Sequence, residues 1–459
     1  MDAATILTTL VVMPGVVFLT FSFVWLAGIP VTERVMSGVS AVTYSLATLF
    51  IAALAVLGPG VTTSSLNWFT VGEYHFPLSL ALDWLSVPLV GLTVILTGII
   101  SAFSVRYLHL EPGFQRFFLL LHLFAFGSLL LFTAGSLDLL LCGWELLGIT
   151  SVLLIGFFQD RPGPTGNALR VFGIYRTTDI GLLLAIVALH HYAGTTVFAE
   201  LFSGTWPRQS ATISGMEAAA VVFLLLFAAA GKSAQGPFAS WLPRAMEGPT
   251  PSSAIFYGAI SVHAGCYLLL RFYPMLQSSS LTMTCIWVMG LVTAVMGTLI
   301  GRSCTDAKGI LAYASLSQVG LIFVEIGLGF PTLALWHITG HAIVRTLQFL
   351  RAPSALHEFH QMHAAAGGHL EATGQHYHLL IPAPVQLWLY RLAMERGFLD
   401  SLLDRLITIP LRRMGEILLV TDSYITGMRP KSSPRHVLSG VSPHTVGTET
   451  KRSPGEVDA

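Results

Sequence analysis

Lys232 lies in the segment AAVVFLLLFAAAGKSAQGPFASWLP, and the fourteen residues before it, 218–231, carry no charge. An ionised ammonium in an apolar helix of bilayer length costs several kcal/mol. The chain otherwise avoids lysine, with 20 Arg against 4 Lys, yet Lys232 and Lys308 fall in or beside apolar segments. A guanidinium stays protonated in almost any surroundings, whereas a buried ammonium can release its proton near neutral pH. Lys232 therefore reads as a group placed to titrate. The alternative is a side chain that snorkels to the interface.

Glu145, in LDLLLCGWELLGITSVLLIGFF, has no basic residue in its own apolar segment, so it must be neutral or paired across helices. A Glu145–Lys232 couple would let distance set the proton affinity of the lysine; a purely structural ion pair is the other reading. Arg176 and Asp179 stand at i,i+3 in GIYRTTDIGLL, either a satisfied local pair or part of a relay. LALWHITGHAIVRTLQFL sets His337, His341 and Arg345 at i, i+4, i+8 on one helical face, a pattern that suits a proton wire. Two imidazoles without a third ligand at a defined spacing make a weak metal motif. Tyr257 and His263 add polar groups to the segment 252–272, and Lys308 is either an interface anchor or a relay member.

The elements that must hold these groups are membrane spans. Hydrophobic residues make up 53% of the 459 and charged residues 10%, with a formal net charge of +0; mean hydropathy is +0.70. A soluble domain carries about a quarter charged residues. These values predict an all-α polytopic membrane protein and argue against nucleic acid as a partner. The four cysteines are dispersed without CxxC spacing, so no disulfide framework, metal site or cofactor is expected. Eleven apolar spans are expected at 5–28, 37–58, 84–105, 115–133, 138–158, 169–189, 216–243, 252–272, 283–301, 308–328 and 332–350. Basic residues concentrate in alternate loops (Arg34; Arg106 and Arg116; Arg161 and Arg170; Arg244; Arg302 and Lys308), which puts the N-terminus outside and residues 351–459 in the cytoplasm. Span seven is interrupted by Gly231 and Gly236-Pro237, one turn from Lys232. Broken helices at membrane depth occur where they line a cavity.

Beyond residue 351 the chain changes character. Residues 354–378 are rich in His and Gly, and His357, His360 and His363 read as surface histidines more readily than as a zinc site. Residues 385–420 are apolar at helical spacing with Arg and Asp opposite, the pattern of a helix lying along a membrane or on a partner. Residues 376–394 could alternatively form a twelfth span. The stretch from 429 is Pro/Ser/Thr-rich and expected to be disordered. The resulting division is 1–113, 114–272, 273–351, 352–428 and 429–459.

GKSAQGPFASWLPRAMEGPTPSSA, with WELLG, YRTTDIG, DAKGILAYASLSQVG and HITGHAIVRTLQFL in order, resembles the proton-translocating antiporter-like membrane subunits. These are the NuoL type of complex I, the Mrp cation/proton antiporters and the DabB type of inorganic-carbon pumps. The resemblance runs from about Leu82 to Leu350 and implies two inverted five-helix repeats, spans four to eight and nine onward. It implies a proton pathway through Glu145 and Lys232, with Lys308 and His341 on a central polar axis. Arg345 stands where the family usually has Lys, and Tyr257 where it usually has His, with His263 six residues on. No counterpart of the family's second broken helix follows span eleven, so the second repeat reads as truncated and the short DabB type fits best. That type implies a proton-driven transport subunit, itself no enzyme, in a bacterial inner membrane beside a large zinc-containing, DabA-like cytoplasmic subunit. The alternative is a complex I subunit L-like or Mrp-type antiporter subunit.

Overall fold

The computed structural model describes residues 2–352, apart from 59, 64, 65, 73 and 305, together with 382–395, 397 and 402–426. The His-rich 354–378 segment and the tail from 429 lie outside the described residues.

Helices occupy every expected span. They are α1 (Ala3–Leu26), α2 (Glu33–Leu57), α3 (Ser86–Tyr107), α4 (Phe114–Thr133), α5 (Leu137–Ile155), α6 (Pro162–Tyr192), α7 (Gly215–Lys232), α8 (His263–Arg271), α9 (Ser280–Gly301), α10 (Ala307–Gly327) and α11 (Pro331–Arg351). Among the described residues, nine are long and apolar enough to cross a bilayer. The two that are not are informative. α11 is long enough, but its histidines and arginine lower its hydropathy. Span eight is not one helix: the chain passes through a short turn, Thr250–Ser253, and a π-helical turn, Ala254–Ala259, before α8 begins. Span seven also ends early, at Lys232, where the continuous stretch 216–243 was expected. Ala234 there takes a positive φ of 52°, and only 3-10 and single-turn pieces follow.

Helix starts follow local chemistry. Ser136 caps α5 by accepting from the Leu139 amide at 3.3 Å, and Asp306 caps α10 by accepting from the Gly309 amide at 2.6 Å. Packing follows small residues, as expected where lipid offers no hydrophobic drive between helices. α9 and α10 approach so closely that a Cβ on Gly290 would stand 2.4 Å from the Gly320 carbonyl oxygen. α4 packs on α5, α6 on α7, and α1 to α3 brace one side of α4.

Among the described residues, the all-α expectation holds apart from three small two-stranded pieces. The largest pairs Leu66–Val71 with Tyr74–Leu78 across a tight turn containing Gly72. It belongs to the α2–α3 connection.

The amphipathic run after 382 forms α12 (Ala383–Met394), a π-helical turn at Asp404–Thr408 and α13 (Ile409–Thr426). α12 packs against α9, and the π-turn packs against α6. Asp404 forms an ion pair with Arg170 of α6, and Gly173 leaves room for Ile407 and Leu411, whose methyls would lie 3.0 and 3.1 Å from a Cβ there. This run is therefore a strap across the bundle. α13 keeps Ile417, Leu418, Tyr424 and Ile425 exposed.

Candidate functional site

Four charged side chains meet where α5, α6 and the end of α7 converge. Lys232, the last residue of α7, is 0% exposed. Its Nζ donates to the Trp144 carbonyl at 3.1 Å and lies 4.8 Å and 4.3 Å from the ring centres of Trp144 and Tyr175. Cation–π contact of this kind partly replaces lost hydration. Gly148, one turn along α5, makes the space: a Cβ there would stand 2.9 Å from Nζ and 3.6 Å from Arg176 Nη2.

The carboxylates are arranged differently from the expected Glu145–Lys232 couple. Arg176 sits between them, in a short ion pair with Glu145 and a 2.7 Å pair with Asp179. Asp179, 2% exposed, also accepts from Trp144 Nε1 at 2.6 Å. The Arg176–Asp179 pair, which the sequence left between a local tie and part of a relay, stands at the centre of the cluster, bound to Glu145 and Trp144. Two acids and two bases share one site, with Lys232 and Asp179 buried and Glu145 and Arg176 partly exposed, so any proton moved changes the field on the others.

The break after Lys232 joins this cluster to a second one. Ser233 Oγ donates to the Val262 carbonyl at 2.6 Å, and the next residue, His263, opens α8. A Cβ on Gly265 would come 2.3 Å from that hydroxyl, so glycine there lets the two broken spans meet. The π-turn leaves the Ala259 carbonyl free of a backbone partner at the usual spacing, and His263 Nδ1 donates to it at 2.6 Å. His263 Nε2 faces His341 Nδ1 at 2.9 Å. With both rings neutral, Nδ1 of His341 is the donor and its Nε2 carries the lone pair. That Nε2 is buried with no hydrogen-bond partner among the described residues.

His337 lies one turn along α11, its ring centre 6.5 Å from that of His341. Its Nδ1 faces Glu325 Oε1 at 2.7 Å and its Nε2 faces Gln318 Oε1 at 2.9 Å, both on α10. Gln318, His337, Gly340, His341, Val344 and Arg345 line a cavity of ≈ 270 Å³. Arg345 donates to Gln348 at 2.8 Å and has no carboxylate partner among the described residues. The line of groups runs His263, His341, His337, Glu325.

Lys308 stands apart. It is half-buried in the first turn of α10, ten residues before Gln318, or roughly 15 Å along the helix axis. Tyr257 belongs to the π-turn, and its side chain lies outside the described residues. Sequence reasoning missed Glu325 and Gln318. The signal was present: a glutamate in an apolar span, two turns beyond a glutamine.

Comparison with known proteins gives this geometry a family. The family described as NADH:quinone oxidoreductase/Mrp antiporter, transmembrane, matches residues 134–380, and the complex I chain 5 N-terminus matches residues 68–118. NADH-quinone oxidoreductase subunit L of Neisseria meningitidis is 36% identical over 305 residues, 64% of this chain and 45% of the relative. The probable inorganic carbon transporter subunit DabB1 of Halothiobacillus neapolitanus is 35% identical over 317 residues, 68% of this chain and 55% of the relative. The chain spans about half the length of these curated relatives. Among solved structures, the Mrp complex from Dietzia sp. DQ12-45-1b aligns with a TM-score of 0.65 at 27% identity, over 76% of this chain and 37% of that one. The match covers more than half of the residues, and the chain is a multi-pass membrane protein belonging to the NADH:quinone oxidoreductase/Mrp antiporter family.

Proposed function

We propose that this chain conducts protons through the membrane as the energy-coupling subunit of a larger complex, performing no bond-making chemistry of its own. One observation carries the reading: a fully buried lysine within a cluster of two carboxylates and a guanidinium, joined through Ser233 and Val262 to a file of imidazoles. A structural salt bridge needs one partner, whereas this arrangement couples several titratable groups. Proton flux measured in liposomes under an imposed pH gradient tests it. Flux unchanged in Lys232→Ala and Glu145→Gln would sink it.

For the partner, we favour an inorganic-carbon pump, in which proton flow drives a zinc-containing, DabA-like cytoplasmic subunit that handles CO2 or bicarbonate. The DabB1 relative, matched over 68% of this chain, supports that reading. The subunit L relative, at 36% identity, supports a redox-driven pump instead. In this reading the protein lies in a bacterial inner membrane with its N-terminus outside and the strap of α12 and α13 on the cytoplasmic side. Purification in mild detergent separates the two: a large zinc protein as the stoichiometric companion favours carbon, and flavin or iron–sulfur subunits favour the respiratory alternative. Deleting 354–422 should release the companion and deleting 430–459 should not.

A further inference from the structure

The seam between α5 and α6 carries acid–base groups at a second depth. Asp138 precedes Glu145 by seven residues on α5, and His190 follows Asp179 by eleven on α6. Those intervals are close to two and three whole turns, so each pair returns to nearly the same helical face. Asp138 lies about 10 Å from Glu145 along α5, toward the end of the bundle opposite the strap.

The second pair is enclosed. Asp138 Oδ1 is 3.7 Å from His190 Nε2, and the two side chains are only 13% and 11% exposed. The other oxygen of Asp138 accepts from the Thr196 hydroxyl. Thr196 belongs to the connection after α6, and its carbonyl accepts from the Leu137 amide at 3.0 Å, so this loop is stitched to the start of α5. Phe76, from the Leu66–Leu78 hairpin, lies over the histidine with ring centres 6.0 Å apart. The other titratable groups here are Cys142, between the two acids on α5, His191 beside His190, and Glu200, which accepts from Thr195.

We propose that Asp138 and His190 form the outer proton port, where protons pass between the Lys232 cluster and the aqueous face beneath the hairpin. The proposal rests on the proton-conduction reading. Imidazole and carboxylate are the side chains that most readily exchange protons at ordinary pH. His190 takes one proton from outer water and hands it to the Asp138 carboxylate. Asp138 releases it to water in the seam, which delivers it to the Glu145 carboxylate, so His190 and Asp138 return to their starting states and Glu145 holds the proton. The same steps run backwards for outward flow. A mere tie between helices would be served as well by an amide, which also accepts from Thr196.

The test uses the full chain with its co-purifying subunits in liposomes, recording initial proton flux against outer pH at fixed inner pH. Asp138→Asn and His190→Gln should each lower flux tenfold or more, and the double variant should be no worse than the poorer single one. Asp138→Glu should keep at least a third of the flux and move the midpoint of its dependence on outer pH. Lys232→Ala is the control. If it abolishes flux while Asp138→Asn and His190→Gln keep more than half, the port is overturned and conduction stands. If Lys232→Ala leaves flux intact, the conduction reading falls first. Should Asp138→Asn fail to fold, Asp138→Glu and His190→Gln decide: an unmoved outer-pH profile in both overturns the port.

Discussion

Replacing Gly148 by alanine should cripple conduction while sparing the fold. The added methyl would stand 2.9 Å from Lys232 Nζ, below any ordinary carbon–nitrogen contact, and 3.6 Å from Arg176 Nη2 and Tyr175 Cδ2. The crowded atom is the tip of a flexible chain, so the ammonium moves and the backbone stays. Nζ then gives up its 3.1 Å bond to the Trp144 carbonyl and its seat over Tyr175. A hydrogen bond to a charged group contributes about 1.5–3 kcal/mol, and each 1.36 kcal/mol is tenfold. Flux through the displaced lysine should therefore fall roughly ten- to hundredfold. Liposome flux reads the effect, and a thermal melt in detergent checks that Tm falls by no more than about 6 °C, the size expected for a loss of about 1.5–3 kcal/mol in a chain this long. Flux within twofold of wild type would refute the claim that lysine placement controls the step. A collapsed Tm would show instead that Gly148 matters for packing.

Four further outcomes are expected. Lys232→Arg should fail to conduct although charge is kept, because a guanidinium does not release its proton; flux equal to wild type would refute titration at this position. His263→Gln breaks the 2.9 Å link to His341 and should lower flux at least tenfold with Lys232 untouched, checked in the same liposomes. Burial pushes the Asp83 carboxyl up, but the Arg271 guanidinium and Ser86 outweigh it and hold it at about 2. A depressed carboxyl adds stability above its unfolded pKa that is lost as pH falls through the folded value; acid melts should thus lose stability below about pH 4, and Asp83→Asn should flatten that dependence. Reporter fusions at Arg351 and Ala459 should both read cytoplasm; opposite faces would make 376–394 a twelfth span.

What the sequence disclosed was whatever a single helix determines. Lys232 in an uncharged run, the break at Gly236-Pro237 and the i, i+4, i+8 row on α11 are one-dimensional signals, and each lies in the corresponding element of the structure. Pairings between helices were not legible. Glu145 is bound by Arg176 of α6, a choice made by the packing of α5 on α6. The π-turn at Ala254–Ala259 has no signature in apolar periodicity, yet it frees the carbonyl that fixes the His263 tautomer. Glu325 was hidden by the length of its span, since a lone acid near a helix end looks like an interface residue until a histidine is found 2.7 Å away.

The interval from Asp138 to Glu145 is also a distance along an electric field. Seven residues of helix rise about 10.5 Å, roughly a third of a hydrocarbon layer about 30 Å thick. A full crossing by one elementary charge is worth about 2.3 kcal/mol per 100 mV, so a proton travelling between these acids gains or loses about 0.8 kcal/mol for the same voltage. That biases the step roughly fourfold. A membrane potential with no pH difference across it would then load or unload the Lys232 cluster, and the helical spacing of two acids on α5 sets how strongly.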